Sequence, residues 1–234
     1  MAKTLKIQRQ RLHDSRPYTQ SFVLEEYRET MSVAEALESL NARENLRTAD
    51  GDPAEPIRFE RSCMQKKCGA CAMLIQGVPK LACSTKLSDY KEEVIELAPL
   101  RKFPTVVDLI VDRSAISENL KTMKIWLNED MEVDDRYLTE TYDSARCLMC
   151  GCCLEVCPNF MLGDDFYGAA GTMAASRLIL SLPISQRKEF YKEYKRHIYN
   201  GCGKSLSCQN ICPAEISIEK LLTRSNGMAV WNRN

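Results

Sequence analysis

The sequence predicts an α+β fold in two parts, a sheet-forming part over residues 1–102 and an all-helical part over residues 103–234. Three observations carry that prediction. Short alternating stretches bounded by Gly, Pro, Asp and Ser fill the first part, as half-buried strands do. Beyond Phe103 the apolar residues recur at three- and four-residue spacing, as along one face of a helix. The twelve cysteines fall into three groups, one in the first part and two similar ones, an internal repeat, in the second.

In order along the chain, residues 4–11 and 21–26 read as a hairpin joined by a polar turn containing Asp14, Ser15 and Pro17. Ser32-Val-Ala-Glu35 is a capping box, in which serine and glutamate satisfy each other's backbone N–H at a helix start. Val33, Leu37 and Leu40 follow at helical spacing, which predicts an amphipathic helix of about three turns. Strands are expected at 57–59, 72–76, 80–82 and 93–97, the middle two turning around Gly77. Pro99 and Pro104 bracket a basic linker. Past it, Val106, Leu109, Ile110 and Arg113 predict one helix and residues 117–127 a second. The acidic stretch 128–140 is expected to run over the surface, and helices are expected at 172–181, 186–199 and 217–224, the last closed near Gly227.

The densest cysteine group holds the chemistry. Cys147, Cys150, Cys153 and Cys157 stand at C-x2-C-x2-C-x3-C-P, the spacing of bacterial-type ferredoxins. In two-cluster ferredoxins the fourth of these ligates the neighbouring cluster, so a complementary run is required. Cys202, Cys208 and Cys212, followed by Pro213, supply it, with Ser205 at the second ligand position. Crosswise ligation assigns Cys147, Cys150, Cys153 and Cys212 to a 4Fe-4S cluster and Cys157, Cys202 and Cys208 to a 3Fe-4S cluster. Three thiolates suit the smaller cluster because a serine hydroxyl is a harder and far less acidic donor than a thiol. Cys152 fits no ligand slot and is expected to be a buried small hydrophobe. In the first part, Cys63, Cys68 and Cys71 stand at C-x4-C-x2-C, and Cys83 follows after eleven residues. That is the plant-type 2Fe-2S spacing. A small sheet, one crossing helix and this loop make the β-grasp arrangement of plant-type ferredoxins, followed by an all-α bacterial-type ferredoxin domain.

Composition narrows the partners. With 32 basic and 32 acidic residues there is no net charge to attract nucleic acid or an anionic membrane surface. No apolar run approaches the roughly eighteen residues of a membrane span, and the best, 173–184, is interrupted by Arg177. The start, Met-Ala-Lys-Thr-Leu-Lys-Ile, has no secretory core and no twin arginine, so a cytoplasmic chain is expected. There, cysteines serve as metal ligands more often than as disulfides. Zinc would need four ligands in a closed tetrahedron, and the four-plus-three pattern leaves a group of three. His13 and His197 have no nucleophile near them in sequence and read as surface residues, so no catalytic residue is expected. Arg146 and Arg177 are expected to pair with carboxylates or lie near cluster sulfurs, and Met149, Met161 and Met173 to pack around the clusters.

Over nearly its whole length the sequence resembles the iron-sulfur subunit of the succinate dehydrogenase and fumarate reductase family. The resemblance rests on the order of the three cysteine groups and the incomplete third. It rests also on Phe103-Pro104…Asp108-Leu109…Val111-Asp112-Arg113-Ser114 and on Phe166-Tyr167-Gly168-Ala169-Ala170. It implies an electron-transfer subunit of an oxidoreductase complex. The 2Fe-2S cluster would face an FAD-containing flavoprotein subunit that carries the dicarboxylate chemistry. The 4Fe-4S cluster would lie between, and the 3Fe-4S cluster would face a quinone in a cytochrome b-type membrane anchor at the cytoplasmic face. The alternative is a free-standing ferredoxin-like carrier, which would purify alone. A thiol-linked fumarate reductase would be expected to carry further cysteine-rich sequence after the clusters, and this sequence ends at Asn234.

Two departures from the family pattern stand out. Many members carry Cys-Arg-Glu-Gly in the first cysteine loop, whereas Cys63-Met-Gln-Lys-Lys-Cys68 has no glycine and two lysines. Lys66 and Lys67 either offset the cluster's negative charge, which would raise its potential, or are solvated or in contact with the flavoprotein. Where ubiquinone-linked members place a tryptophan this chain has Leu162, and Gly203 stands where others offer a histidine. The resemblance therefore implies menaquinone and a complex able to run toward fumarate reduction.

Overall fold

The computed structural model describes residues 2–12, 15–126 and 134–231. His13, Asp14 and the first part of the acidic stretch lie outside the described residues. The chain divides into two compact units, Met1–Asp112 and Arg113–Asn234.

The first unit is built on a five-stranded sheet. Its strands are β1 (Lys3–Arg9), β2 (Tyr18–Leu24), β3 (Ala72–Ile75), β4 (Val78–Leu81) and β5 (Val94–Ala98), in the order β2-β1-β5-β3-β4. Only β1 and β5 pair in parallel; the other pairs are antiparallel. Along β1 the pleat turns Leu5 and Ile7 inward and Lys6 outward, where it meets Glu96 at 2.8 Å. Helix α1 (Val33–Asn41) lies in the crossover, and the whole capping box is present. Glu35 N–H donates to Ser32 Oγ at 3.2 Å, and Ser32 N–H donates to the Glu35 carboxylate at 2.8 Å. Val33, Ala34, Ala36, Leu37 and Leu40 form its buried stripe. The β3–β4 turn places Gln76 and Gly77 at φ +51° and +74°, the twist that two-residue hairpins favour.

Two expectations fail in this unit for one reason. Residues 57–59 form no strand, because side chains take the hydrogen bonds a neighbouring strand would have taken. Ile57 N–H donates to Asn41 Oδ1 at 2.7 Å, Asn41 Nδ2 donates to the Ile57 carbonyl at 2.8 Å, and Arg58 N–H donates to Asp108 Oδ2 at 2.9 Å. Where a helix was expected from Val106, the chain makes a hairpin of β6 (Thr105–Val107) and β7 (Ile110–Val111). Asp108 sits in its turn at φ +46°. Its carboxylate accepts Gln10 N–H at 3.1 Å and pairs with Arg9 Nε at 2.9 Å, both side chains being 3% exposed. These bonds fasten the hairpin to β1, so the first unit extends past residue 102 to Asp112.

In the second unit the described residues form helices and turns. They are α2 (Ser114–Thr122), α3 (Leu138–Ala145), α4 (Cys152–Glu155), α5 (Gly168–Ser181), α6 (Ile184–Tyr194), α7 (Ser207–Ile211) and α8 (Ile218–Ala229). Helix α5 is the hub and touches α2, α3, α4 and α8. Its start, Gly168-Ala-Ala-Gly171, keeps backbones close: a Cβ on Gly171 would come within 2.9 Å of the Ile198 side chain. Helix α8 continues through Gly227, past its expected end, because Leu221, Leu222, Ser225, Met228 and Ala229 prolong the buried stripe. Glu140, at the end of the supposed surface stretch, is buried, with Lys220 and Arg224 at 3.3 and 3.8 Å.

His197 is also not a surface residue. It is 1% exposed and stacks on Tyr167 with ring centroids 4.2 Å apart. Its Nδ1 lies 2.8 Å from the Asp165 carbonyl and its Nε2 3.3 Å from Glu193. It belongs to a π-helical turn, Lys195–Tyr199, that continues α6. Among the described residues no helix is long and apolar enough to cross a membrane.

Candidate metal centres

The first cysteine loop wraps without glycine by placing Met64 and Lys66 at φ +52° and +59°, with Gly69 at +75° beyond Cys68. This curl turns successive N–H groups onto sulfur. Gln65 and Lys67 N–H donate to Cys63 Sγ at 3.3 and 3.4 Å, Lys66 N–H to Cys83 Sγ at 3.4 Å, and Cys83 N–H to Cys71 Sγ at 3.4 Å. The Gln65 and Lys67 N–H groups, with the Cys68 thiol, hold the Cys63 thiol down to about 7. Burial pushes Cys71 up to about 12, and the nearby Cys83 and Cys68 charges add to it. All four predicted residues of this group thus meet around one loop, with Cys83 carried in by the turn after β4.

In the second unit, Cys147, Cys150, Cys153 and Cys212 line one cavity with Leu148, Met149, Ala170, Met173, Ile216 and Ile218. Cys212 arrives there from the far end of the unit because α4 packs on α7. The 147–153 loop bends through Met149 at φ +54° and Gly151 at +85°. Burial raises the Cys147 and Cys153 thiols, and the charges of their neighbours raise them further. Cys150 goes the other way, to about 7, chiefly through the Cys152 thiol, then the Cys152 N–H and the Arg113 cation. Cys157, Cys202 and Cys208 form the third set: burial pushes Cys208 up to about 11, with the Cys157 and Cys202 charges contributing.

Thiols that raise one another's pKa are a poor set of free thiolates and a good set of ligands. A cation among them removes the repulsion that burial magnifies. Backbone N–H groups aimed at sulfur and an otherwise apolar lining are likewise the surroundings of iron-sulfur clusters, so these residues fit them.

Other expected positions sort clearly. Cys152 is fully buried. Arg146 pairs with Asp143 at 2.8 Å and donates to the Ala214 carbonyl. Met149 and Met173 line the cavity, but Met161 is 57% exposed and packs around nothing there. Ser205 is exposed, and Ser207 Oγ–H donates to its hydroxyl at 3.3 Å. Leu162 is 41% exposed, and Gly203 lies against the Asn159 amide, 3.0 Å from where a Cβ would stand. The reading of the sequence missed Arg113, whose Nη1 donates to the Cys150 carbonyl at 3.2 Å. Its only sequence signal was membership of the Val111-Asp112-Arg113-Ser114 segment.

Two domain families match the chain: a 2Fe-2S iron-sulfur cluster binding domain over residues 4–118 and a 4Fe-4S dicluster domain over residues 143–216. The succinate dehydrogenase iron-sulfur subunit of Bacillus subtilis is 32% identical over 231 residues, covering 94% of this chain and 89% of that protein. The chain belongs to the family of succinate dehydrogenase and fumarate reductase iron-sulfur subunits. The fumarate reductase iron-sulfur subunit of Wolinella succinogenes is 28% identical, covering 88% of this chain and 87% of that one. The fold matches a chain of the Mycobacterium smegmatis Sdh1 complex in the apo form with a TM-score of 0.75 at 22% identity, covering 97% of this chain and 96% of that chain. As a member of the family this iron-sulfur subunit works in electron transfer, with 2Fe-2S, 4Fe-4S and 3Fe-4S clusters as its cofactors.

Proposed function

We propose that this subunit relays electrons between an FAD-containing flavoprotein and a quinone held in a membrane anchor at the cytoplasmic face. Cys63, Cys68, Cys71 and Cys83 hold the 2Fe-2S cluster on a β-grasp, plant-type domain. Cys147, Cys150, Cys153 and Cys212 hold the 4Fe-4S cluster, and Cys157, Cys202 and Cys208 the 3Fe-4S cluster, on an α-helical ferredoxin domain. The observation that carries this reading is the single cavity shared by Cys212 and the three cysteines of the earlier run, the crosswise pattern in three dimensions. The clusters supply one-electron transfer. The chain's own residues provide thiolates, N–H donors to sulfur and an apolar wall that keeps water from the buried set. None of the placed residues makes or breaks a bond of the dicarboxylate, which belongs to the flavoprotein.

For the acceptor we propose a low-potential quinone such as menaquinone, in a complex able to reduce fumarate. Leu162 can pack on a quinone but has no N–H to donate to it. At Gly203 a larger side chain would press on the Asn159 amide, which donates to the Gly201 carbonyl at 2.9 Å. The test is side-by-side turnover by the purified complex, fumarate with a menaquinol analogue against succinate with a ubiquinone analogue. Strong preference for the second pair rejects the quinone assignment, and a chain that purifies without a flavoprotein rejects the subunit reading. The ligand assignment is tested by Ser205→Cys, which should replace the oxidised-state paramagnetic signal of the 3Fe-4S centre with a diamagnetic cubane. Persistence of that signal would show that Ser205 is not at the vacant corner.

A further inference from the structure

We infer that Arg113 tunes the 4Fe-4S centre, its guanidinium raising the reduction potential from a seat against the Cys150 peptide. The inference rests on the assignment of Cys150 as a ligand of that cluster. Two independent observations lead to it.

The first is that Arg113 is badly chosen for its local position. It is the N-cap of α2, with φ −105° and ψ +13°, and its side chain makes no capping bond. A serine, threonine, aspartate or asparagine there would accept a free helix N–H, whereas a guanidinium can only donate. Its charge also stands at the positive end of the helix dipole. What the position loses locally is used elsewhere.

The second is where the side chain goes. It reaches across to the ligand loop, and Nη1 donates to the Cys150 carbonyl at 3.2 Å. Arg113 is half-buried and Cys150 is 8% exposed, so the charge lies close to the cluster with little water between to screen it. Cys150 is also the ligand whose sulfur receives the Cys152 thiol and N–H. Reduction adds one negative charge to the cluster. A fixed cation beside one ligand stabilises the reduced state more than the oxidised one, and the potential rises. Arginine suits this task because it stays charged at every accessible pH. Arg113 does not carry the electron.

The experiment is a redox titration of the purified holo-complex, following the reduced-state paramagnetic signal of the 4Fe-4S cluster in wild type, Arg113→Gln and Arg113→Lys. The 2Fe-2S cluster is the internal reference. Arg113→Gln should shift the oxidised-to-reduced ratio at fixed potential at least threefold toward oxidised, about 28 mV for one electron. The 2Fe-2S potential should stay in place, and Arg113→Lys, which keeps the charge, should retain most of the wild-type value. An unmoved Arg113→Gln potential overturns the inference. So does a fall in Arg113→Lys as large as in Arg113→Gln, which would make the fork geometry and not the charge responsible. Loss of the signal in both variants also overturns it, by assigning Arg113 to the folding of the loop. Absence of the signal in wild type would instead remove the cluster assignment, and the inference with it.

Discussion

At Asp108 one carboxylate holds three stretches of chain. It takes the Gln10 and Arg58 N–H groups and pairs with Arg9, whose guanidinium also donates to Gln20 and to the Glu55 and Pro56 carbonyls. Removing one partner of such a buried pair leaves the other charge without compensation, at a cost of about 3–5 kcal/mol. Asp108→Ala should therefore lower the stability of the first unit by about that amount, read as an earlier loss of visible dichroism from its cluster on heating. Cys152→Ala should behave differently. It should cost about 1 kcal/mol, as a modest core truncation does, and leave all three clusters assembled. Loss of the 4Fe-4S signal in Cys152→Ala would show that Cys152 and not Cys153 is the ligand.

Among the elements, the loop from Cys63 to Cys68 carries the clearest cost. Met64 and Lys66 hold left-handed backbone, which costs an L-residue about 1–2 kcal/mol. Lys66→Gly relieves that strain and loses about 0.5–1 kcal/mol of chain entropy in return. The net gain, about 0.5–1 kcal/mol, should appear as slower bleaching of the 2Fe-2S absorbance on warming, while Lys66→Ala shows none. At α1, Ser32→Ala should cost about 1 kcal/mol of stability in denaturant titration. The Ser32 N–H and hydroxyl, with the Arg28 cation, hold the Glu35 carboxyl below its usual range. A depressed carboxylate stabilises the fold above its unfolded pKa, and the benefit disappears as pH falls through the folded value. Glu35→Gln should therefore flatten the acid limb of the stability profile.

For the molecule as a whole, the two proposed cluster sets of the second unit join the cysteine run 147–157 to the distant run 202–212. Iron held by these proposed sets would close long loops as well as carry electrons, so its removal would take away both ligand bonds and chain constraint. Extruding the clusters should make residues 113–234 susceptible to protease and abolish their cooperative unfolding, while the sheet of the first unit persists. Equal protection of both units after extrusion would contradict this. The same tie makes Gly201 critical. A Cβ there would stand 2.5 Å from the Phe166 ring, so Gly201→Ala should displace Cys202 and lose the oxidised-state 3Fe-4S signal.

By itself the sequence determined whatever is written within a few residues. The cysteine spacings, the Ser32–Glu35 box, the Gly77 turn and the amphipathic stripe of α1 are of this kind, because a turn or a cap is decided by atoms a few bonds away. Most of the candidate site was legible for that reason, since three of each cysteine group lie close together in sequence or repeat a known interval. Only the tertiary structure decided the rest. Residues 105–111 have a helical-looking pattern, yet the bonds of Asp108 to Gln10, Arg58 and Arg9 favour a hairpin. His197 looks exposed in a row of charges, but it stands on the stripe of Phe190, Tyr194 and Ile198 that faces the core. Glu140 is buried because Lys220 and Arg224 come from α8 to meet it. Arg113 gains its place from the Cys150 carbonyl, and Cys212 from the packing of α7 on α4. In each case the deciding partner is distant in the chain, and the favourable energy exists only after that distance has been closed.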